Sequence, residues 1–147
     1  MSGLHGIAYT CMASPLTADA LTAVLEAARR FNAKAGITGV LFHHGGRRFE
    51  YFEGPETAVR RAYAQIQASP THRALHLLWD APLPARHFES WYTGFCEKPE
   101  NAFQATANDE WIGAMPLTRT SLQRSEPMSL VLSYWSRWVA DQPPTAT

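Results

Sequence analysis

Apolar positions divide the chain into segments of two periods. Ile7, Tyr9 and Cys11 alternate with Ala8 and Thr10, which is the spacing of a strand. Ser14-Pro15 breaks it, and Thr17 stands where it caps a helix, with Asp19 in the first turn. Leu21, Val24, Leu25 and Ala28 then fall at i, i+3, i+4 and i+7, one apolar stripe of that helix. Arg29 and Arg30 are expected in its last turn, and Asn32 and Gly36 at its exit. Ile37 to His43 reads as a second strand, Gly45-Gly46 as a hairpin turn and Arg48 to Glu53 as the returning third strand. Gly54-Pro55 opens a second helix with Pro at its first position; Val59, Ala62, Tyr63 and Ile66 form its buried stripe and Ser69-Pro70 ends it. Leu75 to Trp79 is a fourth strand, Pro82 and Pro84 mark a loop, and Phe88 to Phe95 is a fifth strand.

The resulting order, β-α-β-β-α-β-β, predicts an α+β ferredoxin-like sandwich: a five-stranded mixed sheet with two helices on one face. The last third is different. Asn108-Asp109-Glu110-Trp111 is expected to open a short helix, and Ser125-Glu126-Pro127 a longer one carrying Met128, Val131, Trp135, Trp138 and Val139 at helical spacing. That stripe predicts a cover for the second face of the sheet, with a partner surface as the alternative. Pro143-Pro144 ends the helix. The chain thus divides into a sandwich over 1–97, a helical extension over 98–142 on the sheet or at an oligomer interface, and a disordered tail over 143–147.

Composition narrows the classes. A chain of 147 residues with 46% hydrophobic positions is one domain, large enough to bury a core without staples. Thirteen basic and thirteen acidic residues cancel, so no general attraction to nucleic acid or anionic membrane is expected. Cys11 and Cys96 form no disulfide framework. The start, Met1 to His5, lacks a signal-peptide pattern, and no run of about 18 apolar residues occurs, so a reducing cytoplasmic setting is the default.

Familiar sites are missing. There is no Gly-rich phosphate loop, dinucleotide turn or nucleophile elbow. His43 and His44 are adjacent on a strand and point to opposite faces, and neither cysteine has a Cys-x-x-Cys partner, so no metal site is expected. Arg47-Arg48 reads as a solvated turn. Glu50 and Glu53 interrupt the basic, aromatic third strand that RNA recognition on such a sheet would need.

The segment Ala28 to Leu41, with Asn32-Ala33-Lys34-Ala35-Gly36-Ile37-Thr38-Gly39 at its centre, resembles the signature of BLUF domains, blue-light sensors using FAD. Ile7 to Thr10, Glu53-Gly54-Pro55, His72 and Arg86-His87-Phe88-Glu89-Ser90-Trp91 match further parts of that pattern, and the likeness covers about residues 4 to 96. The resemblance implies a ferredoxin-like fold and FAD, with FMN as an alternative, between the two helices. It implies Asn32 at the polar edge of the flavin, Tyr9 as its electron donor, and a relay to the strand of Trp91. One amide can meet the acceptors and the N–H of a flavin edge together. Val24, Ile37 and Ile66 are expected to wall the ring, with His72 nearby.

Five positions depart from the pattern. Glu50 stands where the family has the Gln between Tyr and flavin, which predicts a raised carboxyl pKa and an altered switch. Phe31 replaces a polar residue, Gln65 and Ser69 stand where relatives carry Arg and Asp near the phosphate end, and Thr93 stands in place of a Met. The expected protein is a non-enzymatic flavin photoreceptor signalling through an unidentified protein partner, itself a homo-oligomer. The alternatives are a flavin-free regulatory module on the same fold and a small enzyme using Glu50 and Tyr9 as an acid/base pair.

Overall fold

A computed structural model describes residues 3–122 and 125–140, with the backbone alone over 116–122. Its elements are β1 (Leu4–Ala13), α1 (Ala18–Ala35), β2 (Thr38–His44), β3 (Arg47–Pro55), α2 (Glu56–Ala68), β4 (His72–Leu83), β5 (Trp91–Phe95), α3 (Ala102–Leu122) and α4 (Glu126–Ala140). The strands form one sheet in the order β4-β1-β3-β2-β5. Only β2 and β5 run parallel; every other pairing is antiparallel. This is the ferredoxin-like α+β arrangement expected from the sequence.

Local chemistry sets the element ends. The Thr17 hydroxyl accepts the Ala20 N–H at 3.1 Å, and Gly36 closes α1 in the left-handed conformation at φ 72°. Because α1 runs on to Ala35, Arg29 and Arg30 lie inside it and Lys34 is the basic residue of the last turn. Asn32 is likewise inside the helix, not beyond it. Gly45 and Gly46, at φ 53° and 85°, make the tight turn between β2 and β3. β4 continues through Pro82 to Leu83, where a loop was expected; it is an edge strand, and an edge tolerates a residue without an N–H. The fifth strand is shorter than the pattern suggested, starting at Trp91.

The two faces of the sheet carry separate cores. Ile7, Tyr9, Cys11, Leu41 and Phe52 face α1 and α2, packed with Leu21, Leu25, Val59 and Ala62. Ala8, Val40, Phe42, Phe49 and Tyr51 face the other way, under Trp111, Met128, Val131, Trp135 and Trp138. The aromatic stripe therefore covers the second face. Val139 does not join it and is 40% exposed. Gly94 on β5 lets this layer approach: a Cβ there would meet Phe42, Trp111 and Trp135, each at 2.9 Å.

The first C-terminal helix begins six residues earlier than the sequence reading, at Ala102. The Asn101 side chain accepts the Gln104 N–H at 2.9 Å, and Gln104 Oε1 accepts the Glu100 N–H at 2.9 Å, a reciprocal cap. Asn108, read as the helix opener, sits inside α3 and accepts the Phe95 N–H at 2.8 Å instead. Asn101 also donates to Thr22 Oγ1 at 2.9 Å, tying α3 to α1. Asn101→Ala is expected to cost about 1–2 kcal/mol, a loss of roughly 3–6 °C in thermal melting; an unchanged melting temperature would remove this account of the cap. Pro143-Pro144 and the tail over 143–147 lie outside the described residues.

Candidate functional site

Between α1 and α2, over the sheet, is a cavity of about 340 Å³. Its floor is built by register. β1 and β3 pair so that Tyr9 stands opposite Glu50, and strand alternation turns both toward the helices. The Tyr9 ring is held edge-on by Phe52, centroids 6.2 Å apart, and against Tyr63 at 5.8 Å. The Tyr9 hydroxyl donates to Glu50 Oε1. Burial raises the Glu50 carboxyl to about 7; the hydrogen bond from Tyr9 and the charge of Arg48 oppose that rise. Burial, then the neighbouring Glu50, pushes the Tyr9 phenol well above its usual range.

Asn32 lies at one end. Its backbone carbonyl accepts the Gly36 and Ile37 N–H groups, which fixes the residue at the turn out of α1. Its side chain lines the cavity, is 6% exposed, and makes no hydrogen bond to any described residue. Its amide is thus open to the cavity, with a donor and an acceptor that the described residues do not use. Val24 and Phe31, 42% and 40% exposed, flank the cavity with apolar surface that a planar ligand would cover. Ile66 and Trp91 line it as well, Trp91 from β5.

His72 lies at the other end. Its Nδ1 is 3.4 Å from the Ile66 carbonyl, and burial lowers its pKa. Gln65 and Ser69 also line the cavity. Ile37 does not: it is 2% exposed within the α1/α2 core. Thr93 is buried on β5 and does not reach the cavity.

Arg48 is the residue the sequence reading misplaced. It is no solvated turn residue but 7% exposed and part of the cavity lining. The signal was parity: Arg48 stands two residues before Glu50 on one strand, hence on the same face. Its neighbour Arg47 stacks on Trp138, 5.2 Å from the ring centroid. His43 and His44 do point apart, His43 toward Phe95 and His44 toward Trp138. Among the described residues no group of side chains is arranged to hold a metal ion.

The protein is thus a ferredoxin-like sandwich with a cavity between its two helices, an unpaired amide in the lining and a tyrosine–carboxyl pair on the floor. Comparison with known proteins makes that specific. The family model described as BLUF, sensors of blue-light using FAD, matches residues 4–94. The photoactivated adenylate cyclase subunit beta of Euglena gracilis is 29% identical over 117 residues, 80% of this chain and 14% of that protein. A photoactivated adenylate cyclase subunit beta of Euglena longa is 26% identical over 131 residues, 88% of this chain and 15% of that protein. The dark-state structure of BlrB, a BLUF protein, shares the fold with a TM-score of 0.61 at 24% identity, covering 97% of this chain and 99% of that one. BlrP1 of Klebsiella pneumoniae, in a calcium and cyclic-diGMP complex, shares it with a TM-score of 0.70 at 22% identity, over 94% of this chain and 34% of that one. The chain belongs to the BLUF family, whose domains bind flavin and sense blue light rather than catalyse a reaction. It spans about one-seventh of the length of the curated relatives it matches. No helix among the described residues is long and apolar enough to cross a membrane.

Proposed function

We propose that the chain is a blue-light receptor that binds FAD or FMN between α1 and α2 and switches through a Tyr9–Glu50 pair. The observation that carries this reading is the hydrogen bond from Tyr9 to Glu50 on the floor of a cavity that also receives the unpaired Asn32 amide. A bound flavin supplies the blue absorption and, when excited, an electron acceptor. Asn32 holds its polar edge; Val24, Phe31 and Ile66 exclude water from its faces; Trp91 carries the change into β5.

The switch differs chemically from one based on an amide. An amide offers a donor and an acceptor at every pH, whereas a carboxyl offers a donor only while protonated. With Glu50 ionised, Tyr9 is the donor and both carboxylate oxygens accept. With Glu50 protonated, its own O–H is available to the cavity. Its pKa near 7 places the change inside the working range.

The light-induced red shift of the flavin spectrum is therefore expected to be pH-dependent. The acid form, raised above the ordinary carboxyl value, dominates below about 7 and is lost above it. From pH 6 to pH 8 its population falls about tenfold, and the shift is expected to fall with it. Difference spectra under blue light test this, and Glu50→Gln is expected to remove the pH dependence. A full, pH-independent shift in the unsubstituted protein would refute the role of Glu50. A protein that takes up no flavin would leave the flavin-free regulatory module. The output is assigned to a protein partner, met through the extension over 98–142 or through self-association.

A further inference from the structure

We infer that Arg48 builds a phosphate subsite at the end of the cavity remote from Asn32, and that it receives the phosphate of a flavin nucleotide. The inference rests on the flavin reading above and extends it to a residue that the sequence pattern does not mark.

The two ends are set by register. Asn32 bonds Ile37, next to Thr38, which pairs with Glu53; Arg48 pairs with His43, five positions further along the same ladder. At about 3.3 Å per residue these ladder positions are about 16 Å apart. The cavity thus has an amide at one end and a guanidinium at the other.

That guanidinium has no carboxylate in ion-pair contact: Glu50, two residues along the strand, feels its charge but does not bond it. Arg48 is 7% exposed, and its Nε is buried with no hydrogen-bond partner. Nη1 has one neighbour, His72 Nε2 at 3.5 Å, and His72 turns Nδ1 to the Ile66 carbonyl. That arrangement suits a neutral imidazole, consistent with the lowered His72 pKa. Among the described residues no carboxylate lies within 4.0 Å of Arg48; Glu50, on the same face of the strand, is engaged with Tyr9. A smaller cavity of about 240 Å³ behind Arg48 carries Glu97 and Glu100, which do not pair with it either. A buried cation with an orphaned N–H is costly unless something anionic completes it. A phosphate matches the flat, two-pronged edge of Nε and Nη as a carboxylate would, with more charge.

The test compares riboflavin with FMN, which differ by that phosphate, on the full chain. FMN is expected to bind at least about tenfold more tightly, the size of one charge-assisted hydrogen bond. Arg48→Gln is expected to bring FMN down to the affinity of riboflavin. Arg48→Lys, which keeps the charge but loses the two-pronged edge, is expected to retain part of the preference, and serves if the Gln variant does not fold. Equal affinities in the unsubstituted protein, or a preference undiminished in either variant, would overturn the inference while leaving flavin binding intact. If neither flavin binds, the flavin reading fails and the subsite is judged on pyrophosphate alone. A rise in melting temperature with pyrophosphate that Arg48→Gln abolishes supports it, and no rise overturns it.

Discussion

Glu53→Ala is expected to destabilise the fold by about 3–5 kcal/mol and to lower the melting temperature by roughly 10–15 °C. Glu53 is fully buried, and it is the acceptor for four donors. Its carboxyl takes the backbone N–H groups of His87 at 2.6 Å and Phe88 at 2.7 Å, and the Tyr51 hydroxyl at 2.6 Å, with His87 Nδ1 at 3.2 Å. Alanine leaves two backbone donors and a phenol in a dry interior with nothing to accept them, and each such orphan costs about 1–3 kcal/mol. The loss has a direction in the structure. The segment over 86–90 leads into β5 and Trp91, and it is also anchored by Arg86 on Thr38 Oγ1 at 2.9 Å and on the Gly36 carbonyl at 2.7 Å, and by the Ser90 carbonyl, which accepts the Gly39 N–H at 3.1 Å. Glu53→Gln keeps one accepting oxygen but turns an NH₂ group toward donors, so it should fall between the two. Thermal melting followed by circular dichroism measures all three proteins. An alanine variant that melts within about 2 °C of the parent would mean that water replaces the carboxyl.

Trp135→Ala should cost a similar amount, about 3–5 kcal/mol, by opening a cavity in the second core. Trp135 is 8% exposed, its ring centroid 5.0 Å from that of Phe42 and 5.8 Å from that of Trp111. These rings lock together over Gly94, so the space left by one cannot be refilled without moving another. Val139→Ala, on the same helix but exposed, is the control, and should stay within about 0.5 kcal/mol. Urea titration distinguishes them. A midpoint lowered with the slope unchanged marks lost stability in an intact fold, whereas equal midpoints for both variants would show that α4 contributes little to the core.

The order of the elements was legible because each strand and helix declares its period locally. Thr17, Gly36 and Gly45-Gly46 carry their chemistry in their own side chains or in the lack of one. What escaped depended on partners distant in the chain. The start of α3 was signalled by Asn101 and Gln104, but the acidic pair Asp109-Glu110 offered a more conspicuous first turn, and only the structure shows Asn108 spent on Phe95. Val139 has the right helical spacing and the wrong depth, since a stripe fixes the face of a helix but not how far the neighbouring layer extends. In the site, Asn32, Tyr9 and Glu50 were found through the resemblance, and the bond between Tyr9 and Glu50 follows from the β1–β3 register. Arg48 was missed for a physical reason: charged residues beside a glycine turn are nearly always solvated. This one is buried among groups distant in the chain, His72 at 3.5 Å among them, which no local pattern records.

β5 has a mechanical consequence. It is five residues long, lies at the sheet margin, and is hydrogen-bonded along one side to a single parallel neighbour. Its odd-numbered side chains, Trp91 and Phe95, belong to the cavity side, and the adjacent Tyr92 and Gly94 belong to the tryptophan layer. A strand of that kind is the thinnest possible partition between two compartments. A slip along its axis re-seats both surfaces at once, as a rack engages two gears, and it disturbs the ladder to one strand only. At β5 the cavity and the layer of α3 and α4 are therefore separated by a single backbone.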